Sequence, residues 1–428
     1  MKRVSRRFFL TASAAVGAWA AAPRAVAANE RITAAVIGCH NQGINLAEAS
    51  LRTGLFQIAA LCDCDEAMFG VIRQKLAEKK DPTVELAPSC KEVKDFRRLL
   101  DDKSIEAVII ATPDHSHALL TCWALEAGKH VYIEKPLSYN VADGKAMLAA
   151  HQKHPNLTVL VGTQQRSGTH FQEARDFVRS GGLGKVAFCR AFCVHERKAL
   201  EAVPDSDPPA TLDYDMWLGP APYRPFNSMR VHYNWRFFRD YGTGEMGNWG
   251  AHWLDIILWY LDLGLPKSVA GLGGQFVTKD IKEWPDTQTV LYEYPELTVL
   301  WELRLWSKKA PGIVSGAAAE LCGEKGSLHI TRKGWTFYPN DGEPQEHEGS
   351  EQEQAHMRNF SESIRGIAQP IAPLEEAHLC ATLCHYGNIA ATVNRRLEVD
   401  AESWTIRNDE EARALESRPY RKPWVLPS

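Results

Sequence analysis

The chain has 428 residues, 45% of them hydrophobic and 24% charged, with a formal net charge of −4. That balance excludes a mainly disordered or fibrous protein, and the lack of a basic block in the body of the chain excludes one built to grip phosphate backbones. The length predicts about two or three domains with a large buried core.

The basic side chains are unevenly placed: Lys2, Arg3, Arg6, Arg7 and Arg24 fall within residues 1–27, which hold no acid. Between them Phe8 to Ala22 is apolar or small throughout. At about 1.5 Å per residue this run spans about 22 Å, short of a hydrocarbon core of about 30 Å. It reads as the apolar centre of a cleaved leader, with Ala25-Val26-Ala27 as an A-x-A cleavage site. Ser5-Arg6-Arg7-Phe8-Phe9-Leu10 is similar to a twin-arginine export signal. The expectation is a bacterial periplasmic or otherwise exported protein that meets the twin-arginine export machinery already folded. No membrane attachment is expected after cleavage. Without residues 1–27 the chain carries 44 basic against 53 acidic side chains, a net −9.

Strand and helix patterns alternate from Arg31 onward. Ile32–Ile37 is a β-branched strand, followed by an amphipathic helix to Leu51 closed by Gly54. Phe56–Leu61 is the next strand, with Asp65 as N-cap of a helix through Lys79. Ala107–Ala111 is a strand, Ala118–Ala127 a helix with Gly128 just past its end, and Val131–Ile133 and Leu157–Val161 continue the series. Buried apolar runs alternating with helices predict a doubly wound parallel sheet, placed as a dinucleotide-binding domain at residues 28–160.

The second half is different. Lys185–His195, Ser268–Val277, Thr287–Tyr294, Leu297–Trp306, Ala317–Cys322 and Ser327–Thr331 are strand candidates, several with period-2 alternation. Helical patterns interrupt them at Thr169–Ser180, Asn248–Leu263, Gln352–Gly366 and Leu374–Arg395. The reading is an α/β domain at residues 161–400 with a large, mainly antiparallel open sheet, then a tail at 401–428. Residues 196–235 form a long ordered loop. The ten cysteines show no paired C-x-x-C, and the 15 histidines no H-E-x-x-H, so no metal site is expected. Buried free thiols are favoured, and a disulfide between neighbours stays open.

The first chemical signal is the turn Gly38-Cys39-His40-Asn41-Gln42-Gly43 between strand and helix. It stands where G-x-G-x-x-G would let backbone N–H groups meet a pyrophosphate at a helix N-terminus, but His40 replaces the middle glycine. Asp63 follows 20 residues after Gly43, where a carboxylate accepts hydrogen bonds from ribose hydroxyls and repels a 2′-phosphate, favouring NAD over NADP. Polar clusters close three further strands: Thr112-Pro113-Asp114-His115-Ser116-His117, Glu134-Lys135-Pro136, and Gln164-Gln165-Arg166. Ligands of open α/β sheets bind beyond such carboxyl ends.

With these motifs and Gly247-Asn248-Trp249-Gly250-Ala251-His252-Trp253-Leu254-Asp255, the chain resembles the glucose–fructose oxidoreductase / inositol dehydrogenase / MocA (Gfo/Idh/MocA) family over nearly its whole mature length. Trp217-Leu218-Gly219-Pro220 and the leader resemble an exported bacterial subgroup. The resemblance implies a Rossmann domain and a second domain whose sheet forms homo-oligomer contacts. It also implies hydride transfer between NAD(P) and a sugar or cyclitol. Cofactor contacts are then expected from Gly38, His40, Asn41, Gln42, Gly43, Asp63, Thr112, Pro113, Asp114, His115, His117, Glu134, Lys135 and Gln164.

Lys135 at a strand end can stabilise an alkoxide that develops beside a nicotinamide, and burial would let it relay a proton. His252 is the natural general base. Asn248, His252, Asp255 and Trp259 share one helix face. Many members of the family carry Asp where Asn248 stands, and asparagine takes no proton, so the relay here rests on His252 and Lys135. Substrate contacts are expected from Gln165, Arg166, Tyr233, Trp235, Arg236, Asn248, His252 and Asp255, since aromatic faces stack on sugar C–H groups and Arg and Asn bond hydroxyls.

Export adds a constraint: an enzyme outside the cytoplasm cannot replenish NAD, so the cofactor should not dissociate and must be regenerated in place. Three functions meet these observations. The first is a sugar oxidoreductase with bound NAD. The second is a redox-neutral glycosidase that oxidises, eliminates and hydrates. The third, prompted by His40 and Asn248, is a non-catalytic sugar-binding protein on the same fold. No nucleic-acid partner is expected.

Overall fold

The structure is a computed structural model that describes residues 30–308 and 316–427. The expected leader, residues 1–27, lies outside the described residues.

Six parallel strands form the first sheet: β1 (Ile32–Ile37), β2 (Phe56–Cys62), β3 (Lys91–Val93), β4 (Ala107–Ile110), β5 (His130–Ile133) and β6 (Val159–Val161). Their spatial order is β3-β2-β1-β4-β5-β6. The order reverses between β1 and β4, and the crevice at that switch point is where such sheets take nucleotides. Every residue of β4 is buried, as a central parallel strand covered on both faces requires. Helix α1 (Gln42–Thr53) ends at Gly54, whose φ of 69° is the left-handed C-terminal cap expected from the sequence. Helices α2 (Ala67–Ala77), α3 (Phe96–Asp101), α4 (His117–Glu126) and α5 (Val141–Lys153) complete the layers. Asp65, expected as the cap of α2, stands one residue before the N-cap Glu66 and accepts from the Ala67 N–H at 3.0 Å.

The second sheet has ten strands in the order β14-β13-β12-β11-β7-β10-β9-β8-β15-β16. In chain order they are β7 (Val186–Val194), β8 (Ser268–Gly274), β9 (Thr287–Glu293), β10 (Thr298–Arg304), β11 (Ala317–Gly323), β12 (Gly326–Thr331), β13 (Gly334–Pro339), β14 (Gln345–Glu348), β15 (Arg396–Asp400) and β16 (Thr405–Arg407). All neighbours are antiparallel except β7 and β10. Alternate residues Val299, Trp301 and Leu303 point into one core, shared with helices α6 (Thr169–Arg179), α8 (Ala251–Leu261) and α10 (Leu374–Val393). The opposite face leaves Phe188, Leu272 and Leu291 exposed.

The first sheet is also covered by later parts of the chain. Helix α9 (Glu353–Ile364) packs on α1, with Phe360 stacked on Phe56 at 5.9 Å between ring centroids. Helix α10 gives Leu374, Ala377 and Ala381 to the first core and Cys380, Leu383 and Cys384 to the second. Residues 401–428 contain β16 and α11 (Glu410–Ala414), then run back so that Trp424 enters the first core. Strand β14 had no signal in the sequence because all four of its side chains are exposed. All ten cysteines are free.

The expected helix Asn248–Leu263 is two pieces. A π-helical turn, Met246–Gly250, precedes α8, and Tyr214–Leu218 (α7) lies in the long loop before it. A Cβ at Gly247 would stand 1.8 Å from Thr243 Oγ1, so glycine is required for this wide turn to close.

Candidate active site

The turn after β1 is shaped by its two glycines. Gly38 has φ +94°, and a Cβ there would lie 2.7 Å from the Ala111 carbonyl oxygen. A Cβ on Gly43 would lie 1.8 Å from the Gly38 oxygen. Both positions therefore admit glycine alone. Asp63, at the end of β2, accepts from the Cys39 N–H at 2.7 Å and the Asp65 N–H at 2.9 Å, which fixes its carboxylate at the crevice wall. Gly38, His40, Asn41, Gln42, Asp63, Thr112 and Pro113 line one crevice. Those residues fit a dinucleotide: the glycines admit close approach of the backbone, and Asp63 stands ready to accept ribose hydroxyls.

That crevice has a roof from the second half of the chain, made by Trp217, Gly219, His232, Trp235, Arg236 and Trp424. The roof is tied down on both sides. His232 Nε2 meets Asp65 Oδ2 at 2.8 Å, and Asp213 N donates to the Cys64 carbonyl at 2.8 Å. The His40 ring, in place of the middle glycine, lies 5.9 Å from that of His232. Burial and His232 both lower the His40 pKa, so its ring is neutral at the crevice.

Three residues expected at the cofactor have structural partners instead, and one of them, His115, supports this roof. His115 is fully buried, with Nε2 on the Trp217 carbonyl at 2.9 Å and Nδ1 on the Tyr241 carbonyl at 3.3 Å. The Asp114 carboxylate accepts from Thr243 N at 3.0 Å and Thr243 Oγ1 at 2.7 Å. His117 bridges the carbonyls of Pro136 and Thr112, each at 2.8 Å, joining two strand-end turns. His115 and His117 touch neither crevice wall; Asp114 reaches the second one, but with its carboxylate already bonded.

The second crevice adjoins the first and is lined by Glu134, Lys135, Gln164, Asn248, His252, Tyr233, Trp235 and Arg236. Lys135 Nζ donates to Asn248 Oδ1 at 2.9 Å. Asn248 Nδ2 donates to Glu245 Oε2 at 2.7 Å, and Arg197 Nε donates to Glu245 Oε1 at 2.9 Å. Burial lowers the Lys135 pKa; Glu134 opposes this, and the Arg236 and Arg332 charges add to it. Glu134 accepts from Gln42 at 3.1 Å and from Gln164 at 3.4 Å, and burial pushes it up to about 7 against the pull of Lys135.

His252 is held well below its ordinary pKa, first by burial and then by Arg332 and Lys135, so it is neutral. Arg332 Nη2 donates to His252 Nε2 at 3.0 Å, which puts the ring proton on Nδ1 and occupies the basic lone pair. Asp255 and Arg166, expected at the substrate, pair with each other away from the crevice. Arg166 Nη2 donates to Asp255 Oδ1 at 2.6 Å, Arg166 also bonds Glu376, and both members of the Asp255 pair are buried. Gln165 is buried beside them and lines neither crevice. The shared helix face fails because the π turn carries Asn248 to the crevice while Asp255, one turn past His252, meets Arg166.

Four site residues had no weight in the sequence reading: Glu245, Arg197, Arg332 and Glu353. Glu245 stands three residues before Asn248 on the same turn, a spacing that could have signalled it. Arg332 sits in the turn between β12 and β13, 80 residues from His252, and nothing local marks it. Among the described residues no cluster of three or more metal-ligating side chains occurs.

Residues 32–163 match the model of the oxidoreductase family with an NAD-binding Rossmann fold, and residues 188–295 and 339–426 match its C-terminal alpha/beta domain. The chain belongs to the Gfo/Idh/MocA oxidoreductase family. It is 28% identical over 234 residues to a glycosyl hydrolase family 109 protein of Stenotrophomonas maltophilia, covering 51% of this chain and 48% of that one. It is 29% identical over 163 residues to levoglucosan dehydrogenase of Pseudarthrobacter phenanthrenivorans, covering 38% and 34%. The chain thus spans under half the length of these curated relatives. Its fold matches the crystal structure of aldose-aldose oxidoreductase from Caulobacter crescentus, with a TM-score of 0.65 at 19% identity, over 86% of this chain and all of that one.

Proposed function

We propose that the protein oxidises or reduces a sugar with an NAD that stays bound between turnovers. The observation that carries this reading is the continuity of two crevices: Asp63 and the Gly38–Gly43 turn at one end, Lys135 and His252 at the other. When bound there, NAD supplies the hydride acceptor for a carbinol carbon. Lys135 donates to the substrate oxygen and stabilises negative charge as it develops. Asn248 orients the ammonium, and buried Glu245, paired with half-buried Arg197, holds Asn248 in place. His252, being neutral, takes the hydroxyl proton once its lone pair is free. The tied roof over the first crevice supports retention of the dinucleotide, and Asp63 favours NAD over NADP.

The same reading includes export. The twin-arginine-like Ser5–Leu10 run and the Ala25-Val26-Ala27 site support a periplasmic location reached through that machinery. The open face with Phe188, Leu272 and Leu291 supports a homo-oligomer through the ten-stranded sheet. Mass spectrometry of small molecules released by denaturing the purified protein tests the core of the proposal. NAD should be recovered in near-stoichiometric amount, and sugars should then bleach or restore its reduced form. Absence of any nicotinamide nucleotide contradicts the reading.

A redox-neutral glycosidase is the second reading, favoured by the match of half the chain to a glycosyl hydrolase family 109 protein. It requires glycosidic cleavage with no net change in the oxidation state of the bound nucleotide.

A further inference from the structure

Two guanidinium groups reach the second crevice without a carboxylate at ion-pair distance among the described residues. The third arginine of that crevice, Arg197, is paired with Glu245, and Arg166, Arg190, Arg224 and Arg395 each hold two acids elsewhere. Arg236 packs against the rings of Tyr233 and Trp235, 4.2 and 5.2 Å from their centroids, and its Nε donates to the Tyr233 carbonyl at 3.2 Å. It lines both crevices, so its charge faces their junction. Arg332 lines only the second. It lies 5.3 Å over Trp249 and spends one N–H on His252 Nε2, leaving the rest of its fork of donors free.

Among the described residues no acid facing this space reaches Arg332 at ion-pair distance, and the Glu353 and Glu134 charges act on it only from further off. Glu245 is committed to Arg197 and Asn248, and Glu134 to Gln42 and Gln164. Glu353 lines the crevice but makes no ion pair with Arg332. A planar guanidinium with an open fork beside a catalytic lysine is built to bind a carboxylate in two-point fashion.

Resting on the oxidoreductase reading above, we propose that the substrate is a sugar acid, such as a hexuronate, whose carboxylate binds Arg332. Engagement of the carboxylate draws the guanidinium from His252 Nε2 and exposes the lone pair that accepts the substrate proton. Neutral sugars leave that lone pair occupied. Recognition of the acid and release of the base are one event, and Arg332 both binds the substrate and positions His252.

The test compares matched hexose and hexuronate pairs on the NAD-loaded protein and its Arg332→Gln variant. Reduction of the bound nucleotide gives kcat/KM, and melting temperature gives binding without turnover. Hexuronates should exceed their hexoses by about 10- to 150-fold, the range of one charge-assisted hydrogen-bonded contact. Arg332→Gln should bring that ratio to near one and abolish the extra thermal shift from the uronate. Equal use of both sugars, or equal slowing of both by Arg332→Gln, overturns the proposal. If no sugar of either class reduces a nucleotide shown to be bound, the oxidoreductase reading fails. The sugar-acid proposal is then decided by the thermal shift, and a hexuronate that shifts no more than its hexose overturns it.

Discussion

Lys135 and Asn248 are joined by a 2.9 Å hydrogen bond in which the ammonium donates to the side-chain carbonyl. An amide suits this position because Asn248 must also donate, at 2.7 Å, to the buried Glu245 carboxylate. A carboxylate at residue 248 could accept from Lys135 but would confront Glu245 with like charge. The asparagine that departs from the family pattern is thus explained by its neighbour.

Asn248→Asp should therefore destabilise the protein by on the order of 1–3 kcal/mol, the scale of leaving the buried Glu245 acceptor without its donor. The pair can relieve itself by taking up a proton, so the folded variant binds more protons than its unfolded chain. Its penalty then grows as pH rises. Thermal unfolding at pH 5 and pH 8 should show the larger loss at pH 8. Adding Glu245→Gln should recover most of it. A variant as stable as the parent at pH 8 removes the explanation.

Glu134 gives a second pH dependence. Its carboxyl is raised from 4.5 to about 7 by burial. The folded state holds the proton more tightly than the unfolded chain, so the associated stability is complete below pH 4.5 and is lost as pH climbs through 7. The full span is on the order of 3 kcal/mol. Unfolding by denaturant from pH 4.5 to 8 should show this fall in the parent and a flatter profile in Glu134→Gln.

The roof over the nucleotide crevice predicts a loss of retention without loss of fold. His232→Ala removes the 2.8 Å contact to Asp65 Oδ2 that ties residues 196–241 to the end of β2. A hydrogen bond to a charged group contributes about 1.5–3 kcal/mol, so nucleotide release should accelerate about 10- to 150-fold. The measurement is the NAD remaining after extended dialysis, beside a melting temperature. Full retention in His232→Ala shows that the roof does not hold the cofactor.

Much of this was legible before any coordinates. Apolar runs placed β1, β2, β4 and β5 because those strands are largely buried, and the turn at Gly38–Gly43 announced itself through backbone geometry that only glycine tolerates. Lys135, His252, Asn248, Tyr233, Trp235 and Arg236 do converge on one crevice. Other parts were not legible. His115 and Arg166 carry the same polar chemistry as ligand-binding residues, and only burial with satisfied partners shows them to be structural. Arg332 comes from a hairpin turn whose place opposite His252 is set by the sheet, not by neighbours in sequence. The π turn at Met246–Gly250 also hid itself, because one extra residue in a helix breaks the period on which the shared face was argued.

The correction at Arg166 carries its own prediction. Arg166 and Asp255 are both buried, paired at 2.6 Å, and separated from the crevice lining. Arg166→Ala strands the buried Asp255 carboxylate and should cost about 3–5 kcal/mol, whereas Asp255→Ala leaves Arg166 its bond to Glu376 and should cost less. The double variant Arg166→Met, Asp255→Leu should be more stable than either single one, since no charge is stranded and the volume is refilled. Melting temperatures of the set decide the matter, with KM for the sugar as the control. If Arg166→Ala instead raised KM strongly at an unchanged melting temperature, Arg166 would return to the substrate wall and the pair would lose its structural role.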